Sequence, residues 1–459
     1  MYTMNNDPRK VITGLGLLLG LIGLATLMVL GQLPASASSA LGPIAYVLPN
    51  HITGDEIHLI EADGQNDRIL WSTGEPRPAE LVDIQQLAWK PDASELAFTS
   101  SHESDCSLYQ ADIYTLRSDG QRYRRVSRPP ACGNPDHLPT GTVVVTVENG
   151  IFDESGPFTF YFEGAPGPIE MAVAPGESAT VTFNNVADFG DRLQSAVAIF
   201  GEVRSFDPDA RVDVQPGTTV ETGLLVIGTG FEHYGFQWPT YRPDGSKIAS
   251  MFNKEELFQV DSDNREPGLV GERLRILPTW SNDFLTWGPT AARAHQFLYE
   301  GWVNCDTIFL EDANTGTSQL LITIDPTNIG KTLLGLAWLP DGSGFLYSVS
   351  EMAGWVYKAD LFEYSFATGQ STRVTNVPYG FIRRVTISPD GQKIVYEYQE
   401  YGDWWDLNPA IDLWIMNRDG SQAALFVENG RTPAWSPGEL PPPVEDPPSF
   451  RLMLPMILR

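Results

Sequence analysis

One phrase recurs along this chain and limits what it can fold into. A short apolar run, usually ending in an aromatic residue, is followed by a proline turn. It reads AWKPD at Pro91, TYRPDG at Pro243, TWGPT at Pro289, AWLPDG at Pro340, TISPDG at Pro389 and AWSPG at Pro437. From Pro243 onward the spacings are 46, 51, 49 and 48 residues. Pro-Asp-Gly between two alternating apolar runs is a hairpin turn. Proline presets φ, the aspartate bonds the turn's own backbone, and glycine takes the left-handed position. Each repeat has a second half, as in DIYTLRSDGQRYRRVS from Asp112, DTIFLEDANTGTSQLLI from Asp306, DLFEYSFATGQSTRVT from Asp360 and DLWIMNRDGSQAALFV from Asp412. Four short strands per period of about 48 residues predict a propeller, one sheet per repeat.

Two irregularities refine this. Pro91 and Pro243 are 152 residues apart, so about one small domain is inserted between them. The last phrase, AWSPG, has no strands after it. At the other end, GPIAYV and EIHLIEADGQNDRILW, within residues 42–71, lack a first strand. Joining the two completes one sheet, gives six repeats and removes an unpaired sheet edge. Pro43 lies 48 residues before Pro91, which fits that phase.

The repeats resemble those of TolB-type six-bladed propellers, with their WD40-like aromatic-x-Pro-Asp-Gly turn, Lys-Ile-Ala-like second strand and Asp-Ile-Tyr-like third strand. The resemblance covers residues 42–134 and 232–438. It implies an exported scaffold, often for protein–protein contact, and carries over no catalytic residue. Within the insertion, residues 138–228 show six or seven alternating strands, and PGESATVTFNNV is similar to transthyretin-like surface modules. An immunoglobulin-like or transthyretin-like β-sandwich is expected. Such modules can cross-link Lys to Asn. This insert has no Lys, so that bond is impossible here. It has 13 acidic and 3 basic residues, and its expected role is stalk, spacer or partner-binding module.

The expected fold class is therefore all-β: a six-bladed propeller whose N- and C-terminal strands share one blade, with an inserted β-sandwich. The expected division is 1–40 signal peptide or anchor, 41–136 first two blades, 137–230 insert, 231–438 remaining blades and closing strand, and 439–459 proline-rich linker and apolar tail. The tail, ending in LPMILR, reads as a docking peptide or as a strand packing back on the propeller. Arg9 and Lys10 precede an apolar run over 11–31, and Ala35-Ser36-Ala37 suits a cleavage site. The run is also long enough to span a bilayer uncleaved. Both readings put the rest of the chain outside the cytoplasm, and membrane attachment is expected only through that segment.

Thirty basic against 58 acidic residues give a net charge of −28, which repels nucleic acid and anionic lipid. Export permits disulfides, and Cys106 with Cys132 is the candidate pair. No zinc spacing, paired-histidine motif or G-x-S-x-G elbow occurs, so no catalytic or metal-binding residues are assigned. The loops between second and third strands are aromatic and acidic. Trp302, Trp355, Tyr401, Asp403, Trp404 and Trp405 are the candidate partner-binding residues, suited to sugars, peptides or cationic groups. The repeat aromatics (Trp89, Tyr241, Trp287, Trp338, Trp435) read as core. The functional expectation is a monomeric, non-enzymatic exported scaffold that binds a protein or glycan and needs no cofactor. The alternatives are a propeller hydrolase or lyase with axial carboxylates or Ca²⁺, and a purely structural surface protein.

Overall fold

The computed structural model describes residues 41–74, 84–103, 107–129, 133–134, 137–200, 203–228, 230–231, 235–253, 256–266, 268–269, 271–277, 284–302, 306–324, 331–353, 356–400 and 410–443. Among them there is no α-helix, and a single 3-10 turn at Ala291–Arg293 interrupts the strands. The fold is all-β and of propeller type.

The repeats become four-stranded antiparallel units. Sheet 2 contains Ile84–Trp89, Glu95–Ser100, Asp112–Arg117 and Arg124–Arg125. Sheet 3 contains Phe236–Tyr241, Lys247–Phe252, Glu256–Asp261 and Glu272–Ile276. Sheet 4 contains Leu285–Trp287, Gln296–Trp302, Asp306–Asp312 and Thr317–Thr323. Sheet 5 contains Leu333–Trp338, Gly344–Ala353, Val356–Ser365 and Gln370–Arg373. Sheet 6 contains Gly380–Ile387, Lys393–Gln399, Ile411–Asn417 and Ala424–Val427. A short parallel pairing, Lys358 with Gly380 and Ala359 with Phe381, joins sheets 5 and 6.

Sheet 1 is drawn from both ends of the described chain. Arg431–Trp435 pairs antiparallel with Ile44–Leu48, Ile44 opposite Trp435, and Glu56–Ile60 and Arg68–Ser72 complete it. Gly42 makes this meeting possible: a Cβ there would lie 1.9 Å from the Gly438 carbonyl oxygen.

Apolar side chains lie on both faces of these strands, so each sheet packs on two neighbours. Separate apolar clusters fill the spaces between sheets 1 and 2, 2 and 3, 3 and 4, 4 and 5, 5 and 6, and 6 and 1. Hydrogen bonds between inner strands follow the same order. Trp89 Nε1 donates to the Ala434 carbonyl at 3.0 Å, and Trp238 N–H to Gln86 Oε1 at 3.1 Å. Trp287 N–H donates to Thr240 Oγ1 at 3.1 Å, and Trp338 Nε1 to the Thr286 carbonyl at 3.0 Å. Trp435 N–H reaches Thr386 Oγ1 at 3.0 Å.

The aspartates have two structural roles. In the turns, Asp244 and Asp341 accept bonds from Ser246 and Ser343, which hold both carboxyls below the ordinary range. At the start of third strands, aspartate ties one sheet to the chain leading to the next. Asp306 accepts from Leu333 N–H at 2.7 Å and from Thr332 Oγ1 at 2.5 Å. Burial alone would raise the Asp360 carboxyl, but bonds from Arg373, Val377 N–H and Thr375 hold it low.

Between sheets 2 and 3 the insertion forms a five-stranded and a three-stranded sheet. Eight strands run from Thr140–Asn149 to Gly230–Phe231, where six or seven were expected; Val203–Val212 and the two-residue Gly230–Phe231 are the ones without an alternating run of their own. The two sheets share one core, with Val143, Val145 and Val147 from one and Phe158, Phe160 and Phe162 from the other. A second contact fixes the insert to its neighbours. Tyr161, Val197 and Ile199 enter the cluster between sheets 2 and 3 beside Tyr109, Phe236 and Phe252. Arg128 pairs there with Glu163, whose other oxygen accepts Ser195 N–H at 2.8 Å. Arg125 donates to the Arg128 carbonyl at 2.8 Å and contacts Asp112 at 3.2 Å.

Candidate functional site

The innermost strands of all six sheets line one central cavity of about 500 Å³. Its wall follows from the repeat phrase. The aromatic ends of the phrase (Trp89, Tyr241, Trp287, Trp338 and Trp435, with Ile387 in sheet 6) surround one end, and the turn prolines border them. These rings are nearly buried, Trp89 the most open at 9%. The expectation that they are core residues is thus incomplete, since they are also the cavity wall.

At the other end the inner strands are irregular. Register shifts occur between Ile84 and Gln86, Gln237 and Thr240, Leu333 and Gly335, and Arg383 and Val385. A bulge bends its strand and re-aims the side chains beside it. The residue three places before the repeat aromatic falls at or next to each shift. In sheet order 1 to 6 it is Thr432, Gln86, Trp238, Phe284, Gly335 and Arg384. Trp238 (φ 55°) and Thr432 (φ 49°) adopt left-handed backbone, uncommon for a bulky or β-branched residue and a reason to look for function.

Arg384 reaches across this end. Its Nη1 donates to the Gln85 carbonyl at 2.9 Å, its guanidinium lies 5.3 Å over the Trp238 ring, and Glu397 is 3.7 Å away. Glu397 also accepts Thr432 N–H at 2.7 Å. Gln86 Oε1 accepts from Thr99 Oγ1 and Trp238 N–H, which leaves its NH₂ as the donor. The Thr432 hydroxyl is buried without a hydrogen-bond partner in the structure. Trp238 packs tilted against Phe284, ring centroids 4.5 Å apart and planes 43° to each other.

Among the described residues, Arg384 is the charged side chain of the cavity lining, and no Asp, Glu or His belongs to it. No group of three or more described His, Cys, Asp or Glu side chains is placed to hold a metal ion. The arrangement offers aromatic faces, one guanidinium and neutral donors, a set that binds by stacking and hydrogen bonding.

Inner strands start, and second strands end, at the Arg384 end of the cavity. Trp302 ends strand Gln296–Trp302, its backbone paired with Asp306. Trp355, Tyr401, Asp403, Trp404 and Trp405 lie outside the described residues, as do Cys106 and Cys132. Sequence reasoning missed Arg384, Gln86, Trp238 and Thr432. Their signal is positional: a polar or oversized residue at a fixed place in an otherwise apolar inner strand.

No protein-family model and no curated protein matches this chain. Among solved structures it is similar to a protein assigned as TolB from Agrobacterium tumefaciens, at 18% identity and TM-score 0.29, over 43% of this chain and 83% of that one. A protein assigned as 6-phosphogluconolactonase from Bacteroides uniformis shares 13% identity at TM-score 0.41, over 86% and 99%. A nidogen/laminin complex chain shares 10% at TM-score 0.44, over 86% and 98%. At these identities the likeness concerns fold alone. No helix among the described residues is long and apolar enough to cross a membrane. Residues 1–40, with the apolar run, lie outside them.

Proposed function

We propose that this chain is an exported, non-enzymatic binding scaffold: a six-bladed propeller carrying an inserted β-sandwich, which holds a protein or glycan partner at the cell envelope. Support for the blade count and ring closure comes from the pairing of Ile44–Leu48 with Arg431–Trp435 and from the apolar cluster between sheets 6 and 1. Export rests on the sequence of residues 1–40.

The observation that carries the binding role is the central cavity, lined from every sheet. A rigid ring that presents aromatic faces and fixed donors is preorganised for a partner. The insert is packed on sheets 2 and 3, so it extends the scaffold as a fixed body rather than a swinging stalk.

The test is capture from envelope and secreted fractions on immobilised full-length protein, with a glycan array in parallel. Wild-type protein should retain a partner that is lost when Trp355, Trp404 and Trp405 are changed to Ala. Equal recovery by both proteins would overturn the loop-face assignment. Deleting the insert is a poorer test, because it would strip cover from Tyr109, Phe236 and Phe252.

A further inference from the structure

The layer of residues three places before each repeat aromatic is divided. Consecutive sheets 6, 1 and 2 contribute Arg384, Thr432 and Gln86, whereas sheets 3, 4 and 5 contribute Trp238, Phe284 and Gly335. One side of the ring thus presents hydrogen-bond donors. The opposite side presents two rings, and Gly335 is closely packed there instead of lining the cavity: a Cβ on it would meet Ser348 Oγ at 3.1 Å and the Arg384 backbone nitrogen at 3.2 Å.

We infer that this layer is a ligand subsite for a planar apolar group joined to a carboxylate, with the ring against Trp238 and Phe284 and the carboxylate on Arg384 and Gln86. The inference rests on the binding role proposed for the same cavity and names its chemistry. Several observations converge on it. Arg384 is held over Trp238 by the Gln85 carbonyl, so its fork is placed before any ligand arrives. Gln86 has its oxygen committed twice and its NH₂ uncommitted. A cationic ligand would find no carboxylate in the described lining. Glu397, 3.7 Å from Arg384, offsets part of the guanidinium charge, so preference for the anion should be moderate.

The test uses full-length protein in 0.15 M salt, where long-range repulsion from the net charge of −28 is largely screened. Ligand-observed NMR titrations would compare indole-3-propionate, 3-methylindole and tryptamine, which share the ring and differ in the headgroup. The carboxylate should bind at least tenfold tighter than the amine, with the neutral compound between. Arg384→Lys, which keeps the charge and loses the fork, should weaken the carboxylate several-fold and leave 3-methylindole unchanged. Equal affinity for the three compounds, or no carboxylate binding at all, would overturn the subsite. An envelope partner captured by wild type and by Arg384→Lys alike would leave the scaffold reading standing while the subsite fell.

Discussion

At the residue scale, the polar side chains buried among the apolar clusters depend on their hydrogen-bond partners. His102 is an example. Its ring contacts Ser100 Oγ and the Tyr123 hydroxyl, each at 2.7 Å, and Trp71 packs edge-on 5.4 Å away. Burial, and secondarily the Arg125 charge, lowers its pKa to about 4. The unfolded chain takes up that proton near pH 6.5, the folded chain only near 4. Stability from this residue is therefore complete above about pH 6.5 and declines as pH falls toward 4, by up to about 3 kcal/mol. Burial raises the adjacent Glu103 carboxyl, which binds a proton more readily in the fold and offsets part of the loss at the acid end. Thermal melts across this range should show His102→Gln with a flatter pH dependence than wild type. Identical slopes would mean that His102 does not carry the effect.

At the scale of elements, the repeat decides the strands and the aspartates decide their spacing. The hairpin Leu333–Trp338 to Gly344–Ala353 follows from alternation and the Pro-Asp-Gly turn, with Trp338 opposite Phe345. Asp306 then binds the start of that hairpin from the preceding sheet. Asp306→Ala strands the Leu333 N–H in a buried site and should cost about 1–3 kcal/mol, read as a shift in the urea midpoint. Larger effects are expected where the insert meets sheet 2. Removing one member of the buried Arg128–Glu163 pair, as in Arg128→Met, leaves an uncompensated charge and should destabilise by about 3–5 kcal/mol. If denaturation of that variant instead showed the insert melting separately with the propeller intact, the two bodies would not be one cooperative unit. The strands of the insert were legible from their alternation. Its docking was not, because Tyr161, Val197 and Ile199 look in sequence like any other inward residues of a sandwich.

At the scale of the whole molecule, sheet 1 is the element that involves both ends of the described chain. Truncation after Asn429 would remove Arg431–Trp435, unpair Ile44–Leu48 and lay open the clusters on both sides of sheet 1. The expected outcome is aggregation on size-exclusion chromatography and loss of a cooperative melt. A monomer with unchanged melting would show that the pairing contributes little. Leu440, beyond the strand, packs against the cluster between sheets 1 and 2, so the start of the proline-rich segment lies on the propeller.

The sequence by itself determined the all-β class, the propeller-type fold and the four-strand unit. All of these are periodic or local, written in spacings of about 48 residues and in turn chemistry that acts over a few positions. Only the tertiary structure decided that the repeat aromatics wall a cavity, that Arg384 crosses it to Gln85 and Trp238, and that the insert is wedged against sheets 2 and 3. The physical reason is distance along the chain. Gln86, Arg384 and Thr432 meet because each stands next to a bulge or on left-handed backbone and because inner strands converge, and in the sequence this leaves no more than a positional mark, a polar residue at a fixed place in the inner strand.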